Sequence, residues 1–195
     1  RSEYKLAAHD QNVAAANGAS SSAPEGNRSA WNLIWKAAVP QKMKINAWRC
    51  IIGTLATQRC KVYRHIATRS TCHLCGVEEE DYDHALVVCT HARILWTNMR
   101  RRWPIPGDDF LVHNGKEWFA SLLAKCMVQV RDMLIMLIWR IWHLRNELTH
   151  GKEVPPVPAI VEYLDSYYKS ITIAGSYSTE EVIKGKMPLL TVLVP

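Results

Sequence analysis

The chain has 195 residues, a formal net charge of +6, a sequence pI near 9.1 and 48% apolar residues. That composition supports a packed core, and the excess of cations favours an anionic partner. The longest apolar run, Met133–Trp139, is far too short to span a bilayer, which argues against a membrane protein. Six cysteines do not imply disulfides: Cys50, Cys60 and Cys126 lie scattered in apolar helical patterns, the usage expected of an intracellular, nuclear or cytoplasmic protein.

In chain order, residues 1–30 read as a short helix (1–9) followed by a flexible linker rich in Ala, Ser, Asn and Gly. Trp31, Ile34 and Trp35 then fall on one helical face, and Val39-Pro40 ends that helix, because a residue before proline avoids helical backbone. Gln41–Ile52 resumes helix with Met43, Ile45, Ala47, Trp48, Ile51 and Ile52 mostly inward. Gly53 breaks it, and a short helix is expected within 55–66. Residues 31–70 contain no Asp or Glu but carry Lys36, Lys42, Lys44, Arg49, Arg59, Lys61, Arg64 and Arg69. One-signed charge on this scale suits phosphates better than it suits solubility.

The stretch Thr71–His91 carries the chemistry. Cys72 and Cys75, then His84, then Cys89, are the ligand types and order that one tetrahedral Zn²⁺ accepts. Gly76 relieves the tight turn after Cys-x2-Cys. Residues five apart on an α-helix point roughly 140° away from each other. His84 and Cys89 therefore cannot both sit in regular helix, and one is expected at a frayed end with Thr90 as N-cap of the next helix. His73 and His91 are the candidate substitutes, but His73 is expected to point outward from the Cys-x2-Cys turn and His91 to start a helix. Four protein ligands leave no open position, so the zinc is expected to be structural and the chain not an enzyme. The acidic run Glu78–Asp83 is expected to face water.

Ala92, Leu95, Trp96 and Met99 repeat at helical spacing, and that helix runs into Arg100, Arg101 and Arg102, which suit either a helix dipole or phosphates. A loop follows from Pro104, and Asn114 with Glu117 resembles a capping box. One long helix, or two nearly coaxial ones, is expected over 115–150, its apolar stripe serving the core, a protein partner or self-association. Pro155, Pro156 and Pro158 make a break before a last helix over 160–173.

The fold class is thus mainly α: a small helical domain around a CCHC zinc knuckle, then a long helix, with poorly ordered termini. The expected division is 1–30 (short helix and linker), 31–103 (zinc-binding domain), 104–174 (helical connector) and 175–195 (tail).

Val39-Pro40, Lys42, Lys44, Trp48-Arg49, Leu55, Thr57, Cys72-x2-Cys75-Gly76, His84, Cys89, Ala92 and Trp96 together resemble the zinc-binding domain of LINE-type (non-LTR) retrotransposon reverse transcriptase polyproteins, especially plant ones. Trp142-x-x-Arg145-Asn146 resembles the helical connector after that finger, and residues 3–8 the segment before it. Ala56 departs from the family's usual proline. The resemblance implies a module that engages RNA or DNA near a polymerase; no Tyr-x-Asp-Asp polymerase motif is present. The expected function is non-enzymatic nucleic-acid binding around a structural Zn²⁺, through Lys42, Lys44, Arg49, Arg59, Lys61, Arg64, Arg100, Arg101 and Arg102. The alternatives are a protein-interaction or scaffold module, or a transposon relic without selected activity.

Overall fold

A computed structural model describes residues 28–111 and 117–176, which are helical apart from turns, loops and one isolated antiparallel bridge between Thr71 and Glu79. The expectations for the segment before residue 28, for Asn114 and for the tail beyond residue 176 lie outside the described residues.

Helix α1 (Arg28–Trp35) begins three residues before the expected Trp31, because Ala30 is already a core residue. Pro40 stands at the N-cap of α2 (Gln41–Ile51), where its missing N–H costs nothing. Gly53, at φ +66°, turns the chain, and Thr57 caps α3 (Gln58–Tyr63) by accepting from the Cys60 N–H. After the metal loop come a π-helical turn (His84–Val88), α4 (Thr90–Met99) and a 3-10 turn at Asp108–Phe110.

Of the two arrangements expected over 115–150, one long helix or two, the chain takes two: α5 (Trp118–Lys125) and α6 (Val128–Thr149). Neither proline nor glycine separates them. Cys126 and Met127 adopt extended backbone, and the Arg131 guanidinium donates to the Leu123 carbonyl at 2.8 Å, satisfying an acceptor that the lost turn would have used. The break lets α5 pack on α1 and α2 while α6 runs through the centre against α2, α4, the π turn and α7 (Val157–Ser176).

Leu134, Ile135, Met136, Leu137 and Ile138 are consecutive and all at 0% exposure, so the middle of α6 is enclosed on every side instead of presenting one stripe. The expected apolar face for a partner is consumed by the chain's own core, Met136 included. Met127 and Val128 at the break remain exposed. Among the described residues no helix is long and apolar enough to cross a membrane.

Candidate metal centre

The metal loop is a small knuckle closed by backbone bonds. Gly76 N–H donates to the Cys72 carbonyl at 2.9 Å, Cys72 N–H to Glu78 at 2.8 Å, and Glu80 N–H to Ser70 at 2.8 Å. Gly76 sits at φ +72°, as the tight turn requires. This geometry delivers Cys72 and Cys75 from one side.

The other side solves the five-residue spacing without fraying. Cys89 N–H donates to the His84 carbonyl at 2.8 Å, an i→i−5 closure that widens the turn. The wider turn returns the backbone to the same side after five residues, which an α-turn does not. Cys89 itself takes the N-cap position of α4, and Thr90, expected there, is the first helical residue.

The four donor atoms then lie within 4.8 Å of one another. Cys72 Sγ is 3.8 Å from Cys89 Sγ, and Cys75 Sγ is 3.4 Å from His84 Nε2. A tetrahedron with Zn–S bonds of about 2.3 Å places sulfurs about 3.8 Å apart, with a sulfur–nitrogen edge slightly shorter. The Cys₃His set therefore fits structural Zn²⁺.

Its electrostatics call for a cation. Burial raises the pKa of the Cys72 thiol, and burial with neighbouring Cys72 pushes Cys89 up to about 12. Only Cys75 is lowered, to about 7, chiefly by the Glu78 and Val77 backbone N–H groups. Three thiolates can share this volume only around a positive ion, and binding it releases protons.

The acidic run was expected to face water; Glu78 and Glu79 do, but Glu80 is buried, and three of the acids hold the site together. Glu78 accepts from His84 Nδ1 at 2.9 Å, which leaves Nε2 as the donor facing the sulfurs. Asp81 accepts from the His84 backbone N–H at 2.8 Å, fixing the start of the π turn. Glu80, at 0% exposure, is gripped by Arg145 of α6 and also accepts from Gln58 N–H at 3.4 Å. Neither substitute ligand joins the set. His73 Nδ1 pairs with Gln58 at 3.2 Å. The His91 ring has no hydrogen-bond partner on either nitrogen, and burial, then the Arg145 charge, lowers its pKa to about 4.

The nine cations named from sequence are spread over the fold, with different employments. Lys42 lies over the Trp139 ring, 4.7 Å from its centroid, and Lys44 donates to the Trp35 carbonyl. Arg59 pairs with Asp81 at 3.6 Å. Arg100 binds the Pro106 carbonyl and Asp108, and Arg102 reaches Glu162 and Asp165 of α7, so two of the triplet fasten α4 to its neighbours. Arg49, Lys61, Arg64 and Arg101 have no carboxylate partner among the described residues. Trp96 is buried and donates to the Leu86 carbonyl of the π turn at 2.9 Å; it serves the site as a strut.

Fold and donor set together define a helical zinc-knuckle module. Residues 13–96 match the family model described as zinc-binding in reverse transcriptase. The chain matches no curated protein and no solved structure. The matched segment ends inside α4, short of Arg145.

Proposed function

We propose that this chain is the zinc-stabilised helical module of a LINE-type, plant-like reverse transcriptase polyprotein, and that it binds RNA or DNA through phosphate contacts without catalysing a reaction. The family match over residues 13–96 supports the lineage. The observation that carries the binding reading is the acid-free span 31–70, in which Lys36, Arg49, Lys61, Arg64 and Arg69 have no carboxylate partner among the described residues. Such cations neutralise phosphates with little base selectivity. The non-enzymatic reading rests on the donor set, since four protein ligands fill a tetrahedral ion and leave water no place on it. An intracellular, nuclear or cytoplasmic location accords with a nucleic-acid partner.

The test is binding of the zinc-loaded protein to RNA, single-stranded DNA and duplex DNA at several salt concentrations. Affinity should fall linearly on a log–log plot, with a slope of about −0.7 to −0.9 per phosphate neutralised. Undetectable or salt-independent binding overturns the proposal.

A further inference from the structure

The end of α3 has a construction that neither zinc binding nor core packing uses. Ile66 N–H donates to the Lys61 carbonyl at 2.8 Å and His65 N–H to the Val62 carbonyl at 2.9 Å. These are the two bonds of a Schellman closure, whose left-handed position is usually glycine. Here it is His65, at φ +56°, the one non-glycine residue at positive φ among the described residues. Backbone held in an unfavourable region marks a place where side-chain presentation matters more than local comfort.

What the turn presents is two large apolar side chains in water. Tyr63 is 72% exposed and Ile66 71%. In such a closure the residue at the Ile66 position commonly folds back on the last helical turn. In this chain that turn offers Lys61, and Ile66 stays out. Within the same nine residues, 61–69, stand Lys61, Arg64 and Arg69, none with a carboxylate partner among the described residues. The nearest acids in sequence are already engaged: Glu78 accepts from His84, Glu79 accepts from Ser70, Glu80 is buried on Arg145, and Asp81 faces Arg59 and His84.

An exposed ring in a cation-rich turn, with the neighbouring acids engaged in hydrogen bonds or ion pairs, is complementary to a chain of phosphates bearing unstacked bases. We infer that the α3 tip, Lys61 to Arg69, is a docking surface for single-stranded nucleic acid, with a base stacked on the Tyr63 ring, Ile66 flanking it, and Lys61, Arg64 and Arg69 on the backbone phosphates. The inference rests on the nucleic-acid reading above and narrows it to one strand and one face. A duplex keeps its bases stacked inside and offers the ring no such partner.

The experiment measures binding of zinc-loaded wild type, Tyr63→Ala, Tyr63→Phe and the triple Lys61→Gln/Arg64→Gln/Arg69→Gln to a fluorescent single-stranded oligonucleotide, as RNA and as DNA, and to a duplex of the same sequence. Tyr63 is exposed, so its replacement leaves the fold intact, which circular dichroism verifies. Tyr63→Ala should weaken single-strand binding about five-fold to a hundred-fold, Tyr63→Phe should restore it, and duplex binding should be unmoved. The triple variant should flatten the single-strand salt slope by about two. Single-strand binding that Tyr63→Ala leaves unchanged overturns the tip assignment while the broader reading stands. No binding by wild type to any of the three overturns both. Self-association that Ile66→Ala abolishes and oligonucleotide fails to compete would make the tip a contact between two copies, and overturns the inference as well.

Discussion

Arg145 of α6 and Glu80 of the metal loop, 65 residues apart, form a bidentate ion pair with N–O distances of 2.5 and 2.7 Å. Their side chains are 2% and 1% exposed. The pair ties the helical connector to the backbone that carries the zinc ligands: Glu80 lies beside Gln58 at the start of α3 and four residues before His84. Arg145 also lies over the Trp142 ring, 5.1 Å from its centroid, and donates to Asn146. The Trp-x-x-Arg-Asn sequence thereby acquires a shared purpose.

Removing one partner leaves an unpaired charge in the core. Arg145→Met should therefore cost about 3–5 kcal/mol in denaturant unfolding, and Glu80→Gln with Arg145→Met together much less. A double-mutant cycle from urea midpoints measures the coupling. Additive single effects would mean that the two side chains do not act as a pair.

Zinc removal should reach beyond the knuckle. Without the ion the three thiols, two of them buried, can no longer be gathered, and the loop that positions Glu80 loosens. Arg145 then loses its counter-ion. Purified protein should hold one zinc per chain. Chelation should lower far-UV helicity and raise hydrogen exchange at α4 and at the C-terminal half of α6, while the N-terminal half of α6 stays protected. Cys72→Ser should reproduce that pattern. Unaltered exchange at α6 after chelation would show that the pair does not transmit the loss.

Glu78 offers a subtler probe. Its carboxylate holds the His84 ring from outside the donor set, and it is 59% exposed, so replacing it perturbs no packing. Glu78→Gln should lower zinc affinity about ten-fold to a hundred-fold in a competitive chelator titration, with the fold unchanged when zinc is in excess. Unchanged affinity would show that the π turn alone orients the histidine.

Much of this was legible in the sequence because its signals are local. Cys-x2-Cys with Gly76, a histidine and a third cysteine give a ligand set by type and order. The turns at Pro40 and Gly53 follow from backbone chemistry at single residues. What the sequence concealed depends on contacts far along the chain. A run of five acids looks like a solvated loop, and nothing local shows that Glu80 will meet Arg145. The π turn was hidden because the spacing excluded an α-helix without saying which departure would replace it. The break at Cys126–Met127 has no local breaker; it follows from where α5 must pack. The apolar stripe of α6 was visible, but only the neighbouring helices decide that its middle is enclosed all round.

Two glycines separate backbone strain from crowding. Gly76 (φ +72°) has open space around an added Cβ, so Gly76→Ala should cost about 1 kcal/mol through backbone alone. Gly53 (φ +66°) would place its Cβ 3.3 Å from the Tyr82 hydroxyl, which donates to the Gly53 carbonyl. Gly53→Ala should cost more than Gly76→Ala in the same thermal-melt assay. Equal losses would mean that Tyr82 moves aside freely.

Acid should act on the docking of α7 with a defined sign. Asp165 accepts from Trp103 Nε1 at 3.1 Å and lies 2.7 Å from Lys169 and 3.6 Å from Arg102. Lys169 first, then Trp103 and Arg102, hold its pKa below the usual carboxylate value against the opposing effect of burial. A carboxylate with a depressed folded pKa stabilises the fold fully above its unfolded pKa, near 3.9, and loses that contribution as pH falls through the folded value. Asp132 has the opposite sign: burial raises its pKa although the Ala38 N–H donates to it, so its protonation as pH falls favours the folded state. Between pH 6 and 2.5, Asp165→Asn should therefore make stability less sensitive to acid, and Asp132→Asn should make it more sensitive. Urea midpoints measured across that range check both signs, and parallel curves for the two variants would show that neither carboxylate sets the acid response.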